Sequence, residues 1–213
     1  MNRFKEFYNK TSPGWKILFD SISNDDWISL SKNIDEEYIN EELFKPFVAC
    51  PFENVKVIIF GKEYCHYRHS PKPNFSMYGI PEFKEKYISD IYNMKGISID
   101  KIDFERLSSE GILFINWKIC PYYSEYNPWE PILNQVLQPL FKRGWIINVI
   151  TSTNKDYIAF IKKIIADNNY IINLKINFDK TKKEMDYTFI GNSNLFVKLN
   201  SYLEQWCQEP INW

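Results

Sequence analysis

The chain has 213 residues, enough for one well-buried core and short for two, and it reads as a single domain over 1–213. Apolar residues make up 45 % and aromatics 17 % of it, which excludes a disordered chain. The formal net charge of −1 decides nothing about nucleic acid, so any such contact must come from local basic clusters.

In chain order, the first fifty or so residues read as a helical lead-in, with Asn24 or Asp25 of SNDDWISL as a candidate N-cap. Four apolar runs then have strand character by length and β-branched content: VKVIIF (55–60), GILFIN (111–116), WIINVI (145–150) and YIINLKI (170–176). Each is nearly continuous rather than alternating, as strands buried on both faces of a parallel sheet are. Helical spacing fills the intervals at PWEPILNQVLQPLFKR (128–143) and KDYIAFIKKIIADN (155–168), and again after the fourth run at NLFVKLNSYLEQWCQ (194–208). Strand, helix, strand at this spacing means crossover units, hence an α/β fold on a four-stranded, mainly parallel sheet.

No apolar run approaches the roughly 18 residues of a membrane span, and MNRFKEFYNK has no signal-peptide core, so a cytoplasmic protein is expected. Cys50, Cys65, Cys120 and Cys207 are scattered, with no Cys-x-x-Cys pair, and are expected to be reduced thiols. Cys65, His66 and His69 form a CHxxH run on one loop with no acid partner identified. No metal or cofactor is expected. The absence of GxGxxG and GxxxxGK[ST] argues against a nucleotide-binding α/β protein.

Ligands of open parallel sheets bind at the carboxyl ends of the strands, so the segments after each strand carry the candidate site. They are GKEYCHYRHSPKPNFSMY after the first, Asn116 and WKICPYY after the second, TSTNKD (151–156) after the third and NFDKTKKEMDY (177–187) after the fourth. One carboxylate, one carboxamide, small hydroxyls, two histidines, aromatics and a lysine-rich loop share one rim. That set suits an uncharged heterocycle attached to a phosphate backbone.

The order of these pieces resembles family 1 uracil-DNA glycosylases, which flip uracil out of DNA and hydrolyse its N-glycosidic bond. VKVIIFGKEYCH is similar to the family's strand and water-activating loop, usually GQDPYH; PNFSMY to the stretch bearing the base-stacking phenylalanine; GILFINWKIC to its GVLLLN strand. WIINVITS resembles the strand ending in a phosphate contact, and PINW the family's C-terminal PIDW or PINW. The resemblance runs from about Trp15 to Trp213 and implies a three-layer α/β/α domain, expected to be monomeric.

It also implies roles. Glu63 stands where an aspartate positions the attacking water, and His66 closes the same loop. Phe75 would stack on the base, and Asn116 would pair with its O4 and N3–H edge. Lys62, Tyr64 and Cys65 line the base pocket; Tyr64 and Cys65 replace proline and tyrosine, and the smaller Cys65 opens the place where thymine's methyl is normally blocked. Ser152 and Ser76 match phosphate contacts. The lengthening from aspartate to Glu63 moves the carboxylate by roughly an ångström, about 10²-fold in rate if nothing adjusts.

The family's last loop carries HPSPLS, whose histidine donates to the uracil O2 as charge develops. The corresponding stretch here, FDKTKKEM at 178–185, has no histidine. Losing such a donor lowers the rate on the order of 10²–10³-fold. Lys180, Lys182 and Lys183 are the cations available in its place, and Met185 is the apolar candidate for the wedge that fills the vacated base stack. The expectation is a DNA-binding protein that recognises uracil with weak or absent hydrolysis. Its rival is an inactive relative serving as a replication accessory or as the target of a DNA-mimicking glycosylase inhibitor protein. A third reading is a glycosylase of altered base specificity, resting on Cys65.

Overall fold

In the computed structural model, residues 4–34, 41–61, 103–117, 127–150, 155–165, 171–175 and 195–212 are described. Four short helices lead in: α1 (Lys5–Tyr8), α2 (Pro13–Asp20), α3 (Asn24–Asn33) and α4 (Lys45–Ala49). The cap of α3 is Ser23, not Asn24 or Asp25. Ser23 has extended backbone, and its Oγ accepts from the Asp26 N–H at 3.1 Å, so Asn24 is already the first helical residue. The lead-in packs through its aromatics, with Phe4 and Tyr8 stacked on Trp27 at 4.9 and 5.6 Å. Trp15, fully buried, sets its ring edge-on to Phe47 and donates from Nε1 to the Cys50 carbonyl at 2.8 Å.

The sheet follows as β1 (Val57–Gly61), β2 (Ile112–Asn116), β3 (Ile146–Ile150) and β4 (Ile171–Lys175), all parallel, in the order β2-β1-β3-β4. The four apolar runs are therefore the four strands, trimmed by a residue or two where the backbone is used otherwise. The N–H groups of Lys56 and Val57 both donate to Gly111 O, a turn contact that precedes the ladder. Gly111 has φ +113, and a Cβ there would lie 2.4 Å from Asn54 O, so only glycine fits.

Helix α5 (Phe104–Ser109) precedes β2, α6 (Glu130–Arg143) joins β2 to β3, α7 (Lys155–Ile165) joins β3 to β4, and α8 (Leu195–Gln205) follows β4. Both sheet faces are covered. Ile58, Phe60, Leu113, Ile115 and Ile146 join one core cluster with side chains of α2, α3, α4, α6 and α7. Their alternates Val57, Ile59, Ile112, Phe114 and Ile147 are also buried but lie outside that cluster, and Phe104 of α5 meets Phe114 edge-on at 5.4 Å. Burial on both faces is why the strands read as continuous apolar runs.

Right-handed crossovers account for the sides. The connections β2 to β3 and β3 to β4 run one way across the sheet and put α6 and α7 on one face; β1 to β2 runs the other way and puts α5 on the opposite face. The direction changes between β1 and β3, so the ligand crevice of this topology lies outside the carboxyl ends of those two strands. Among the described residues no helix is long and apolar enough to cross a membrane.

Ile211 and Asn212 of the C-terminal PINW are held at the other, amino edge. The Asn200 carboxamide donates to Ile211 O at 2.9 Å and accepts from Ile211 N at 3.0 Å. Asn212 N donates to Glu110 Oε2 at 2.8 Å, and Arg106 donates to Asn212 O at 2.7 Å. In residues Ile211 and Asn212, this motif is a structural clamp on α5 and α8.

Candidate functional site

The parallel register assembles the carboxyl edge from the strand ends. Gly61 is level with Asn116, and Ile150 with Lys175, so the segments beginning at Lys62, Trp117, Thr151 and Ile176 all leave from one side of the sheet. Asn116 is 3 % exposed. Side chains alternate along β2, and Leu113, Ile115 and Trp117 belong to the main core cluster, so Asn116 falls on the face of Ile112 and Phe114. A carboxamide there offers two N–H donors and a carbonyl acceptor on one rigid group, the complement of a heterocycle edge that carries one acceptor and one donor.

Beneath this edge lies an aromatic floor. Trp117 approaches Tyr157 and Phe160 of α7 at 5.9 and 6.2 Å between ring centres, and Phe60 approaches the same two rings at 5.9 and 6.1 Å. These contacts tie the last residues of β1 and β2 to the first turns of α7, the helix that follows β3. The edge is thus rigid where the strands end.

Two further asparagines sit in this region, and the sequence gives little sign of either. Asn127 is buried, and its Nδ2 donates to the Trp117 carbonyl at 2.7 Å. Asn148 is fully buried within β3, its Cα level with Ile58 and Asn173. The Asn-Pro pair at 127–128 marks a turn just before α6 but says nothing of the side chain's contact. Nothing in an apolar strand pattern marks the second.

Of the residues expected to carry the chemistry, Asn116 is described and stands at the end of β2, where the strand-end rule put it. Lys62, Glu63, Tyr64, Cys65, His66, Phe75, Ser76, Ser152, Lys180, Lys182, Lys183 and Met185 lie outside the described residues. So does His69 and with it the CHxxH run; among the described residues no three His, Cys, Asp or Glu side chains gather as a metal site. Cys50 and Cys207 are free thiols, and burial pushes the Cys50 thiol up to about 12. It is a protonated core residue far from the carboxyl edge in its packing.

A groove of about 520 Å³ opens on the opposite, amino edge, lined by residues that include Glu53, Lys56, Glu110, Arg143 and Gln208. Its charges are already occupied with the fold. Arg143 donates to the carbonyls of Phe52, Glu53 and Val55, Lys56 donates to Glu209 O at 3.0 Å, and Glu110 is taken by Arg106 and Asn212.

A doubly wound parallel sheet with a buried carboxamide at the end of its edge strand β2, one strand away from the switch point between β1 and β3, is of the α/β kind whose ligands bind at the carboxyl edge. No protein-family model matches the chain. It is similar over nearly its whole length to curated proteins, being 26 % identical to the uracil-DNA glycosylase of Mycoplasmopsis pulmonis across 99 % of this chain and 96 % of that protein. The uracil-DNA glycosylase of Amoebophilus asiaticus is 22 % identical across 95 % of this chain and 98 % of that protein. Among solved structures, the fold is shared with the mimivirus UNG Y322L in complex with UGI, at a TM-score of 0.69, 15 % identity, and coverage of 97 % of this chain and 90 % of that one. The chain is thus similar across nearly its whole length to curated uracil-DNA glycosylases and shares the fold of solved uracil-DNA glycosylase structures.

Proposed function

We propose that the protein binds DNA along the carboxyl edge of its sheet, recognises uracil there through Asn116, and hydrolyses the N-glycosidic bond slowly or not at all. The observation that carries this reading is the pairing of Gly61 with Asn116. Glu63 follows by two residues the strand end that lies beside the buried carboxamide, in a chain whose curated relatives are uracil-DNA glycosylases. The 213 residues are taken as one monomeric, cytoplasmic domain.

In this reading Asn116 pairs with the O4 and N3–H edge of the flipped base while Phe75 stacks on its face. Lys62, Tyr64 and Cys65 complete the base pocket, and Ser76, Ser152 and the lysines at 180, 182 and 183 meet phosphates, with Met185 at the vacated stack. For hydrolysis, water adds its oxygen to C1′ of the deoxyribose. The C1′–N1 bond breaks and the uracil leaves with the electron pair as its anion. Glu63 orients the water and takes its proton, and His66 belongs to the same loop.

The slow rate follows from the two departures in sequence. Glu63 is one methylene longer than the aspartate it replaces, and the 178–185 segment offers lysines but no histidine to the developing charge on O2. The test is release of free uracil from a single-stranded uracil-containing oligonucleotide, with protein made in a host lacking its own uracil-DNA glycosylase. Release above background that Glu63→Gln abolishes establishes a slow enzyme. Release that persists unchanged in Glu63→Gln refutes the role given to this carboxylate.

A second reading keeps the fold and drops the chemistry, leaving a protein that binds DNA or a DNA-mimicking inhibitor protein. It is favoured by the likeness to a mimivirus UNG whose structure was solved in complex with UGI. Stoichiometric binding of the oligonucleotide or of such an inhibitor, with no base released over many hours, would select it.

A further inference from the structure

We infer that Asn127 is a positioning residue whose carboxamide holds the backbone immediately after Asn116 and so fixes the base-recognising side chain at the end of β2. The inference deepens the proposed function and rests on it for its biochemical meaning, but its structural content stands on contacts at the end of β2.

The geometry is one of a strand end that needs an external hold. β2 is at the edge of the described sheet, and its ladder with β1 ends at the Gly61–Asn116 pair. The carbonyl of Trp117 lies one residue beyond. Trp117 is 4 % exposed, so this acceptor is in a setting where an unmade hydrogen bond is unfavourable. Asn127 supplies the bond, at 2.7 Å, across ten residues of sequence. The Trp117 indole adds ring contacts to Tyr157 and Phe160, but its Nε1 has no hydrogen-bond partner among the described residues. The bond from Asn127 is therefore a directional restraint that the ring contacts do not supply.

Asn127 is itself well fixed. Pro128 confines the residue before it to extended backbone. Its carbonyl accepts from Glu130 N at 3.1 Å as α6 begins, and Trp129 is buried in the core against Phe44 and Phe47, with ring centres at 6.1 and 6.5 Å. A residue anchored by the start of α6 thus reaches over to clamp the end of β2. Asn127 Oδ1 is buried with no hydrogen-bond partner among the described residues, an arrangement that a leucine of similar size would avoid. The Nδ2 donation to Trp117 O is the interaction for which a carboxamide rather than an apolar group suits this position.

Misplacement of a recognition group by about an ångström lowers function by up to roughly 10²-fold, and a loosened strand end is a partial case of it. The test uses the full chain with asparagine-selective ¹⁵N labelling, the Asn116 side-chain resonances being assigned through Asn116→Ser. Asn127→Leu, which removes the donor, and Asn127→Asp, which keeps the shape, are compared with the parent protein. Expected are displaced Asn116 resonances in both, and a fall of roughly tenfold in preference for a uracil- over a cytosine-containing single strand, with affinity for the cytosine strand unchanged. Unmoved Asn116 resonances in a folded variant overturn the assignment, as does failure of both variants to fold, which would make Asn127 a residue of stability alone. Should the parent protein show no preference for uracil while the Asn116 resonances still move, the positioning role stands and the uracil reading falls.

Discussion

The two edges of the sheet handle polar groups in opposite ways. At the amino edge the charges are spent on the fold: Arg143 holds three carbonyls, Lys56 holds Glu209, and Arg106, Glu110 and Asn212 form a closed set. At the carboxyl edge the buried polar side chains Asn116 and Asn127 are neutral carboxamides, and the charged Lys155 and Asp156 that open α7 are exposed. The difference teaches where not to look for a ligand. The groove at the amino edge lies where both lining cations, Lys56 and Arg143, already hold carbonyls, and an anion entering there would have to displace those bonds. The carboxyl edge has an aromatic floor and a buried carboxamide, Asn116, at a strand end.

Two substitutions at the amino edge sharpen the contrast. Arg143→Met is expected to lower stability by about 1–2 kcal/mol, the loss of charge-assisted bonds to three carbonyls discounted for their partial exposure. Oligonucleotide affinity should be unchanged, and a combined denaturation and binding titration reads both. A loss of DNA affinity at full stability would break the comparison. Lys56→Gln is expected to change stability by less than about 0.5 kcal/mol, since its bond to Glu209 O is exposed. The slope of log affinity against log salt should stay as in the parent, whereas a phosphate contact at Lys56 would reduce it by about 0.7 for a single strand.

Most of the fold was legible because burial on both faces leaves a strand no reason to alternate. VKVIIF, GILFIN, WIINVI and YIINLKI are β1 to β4 to within two residues, and the helical periods at 128–143, 155–168 and 194–208 are α6, α7 and α8. Boundaries were less legible where backbone groups have tertiary partners, as Lys56 and Val57 do in Gly111 O. The α3 cap was missed although Ser23 and Asp26 have the spacing of a capping pair, because the two intervening polar residues offered equally plausible caps.

At the site, Asn116 could be read from its place at the end of a strand. Asn127 could not, because its role comes from a contact ten residues away that local patterns do not encode. In sequence PINW is a mark of resemblance; its physical meaning, two carboxamide bonds and an ion-paired clamp, becomes visible only in the contacts that Asn200, Glu110 and Arg106 make with Ile211 and Asn212.

The central claim, that the carboxyl edge reads a base, is tested most directly by equilibrium binding of uracil- and cytosine-containing single strands to the parent protein and to Asn116→Leu at one fixed salt concentration. The expected result is a preference for uracil that Asn116→Leu reduces by about 10²-fold or abolishes, with affinity for the cytosine strand and thermal midpoint little changed. An undiminished preference for uracil in a folded Asn116→Leu protein would contradict the account.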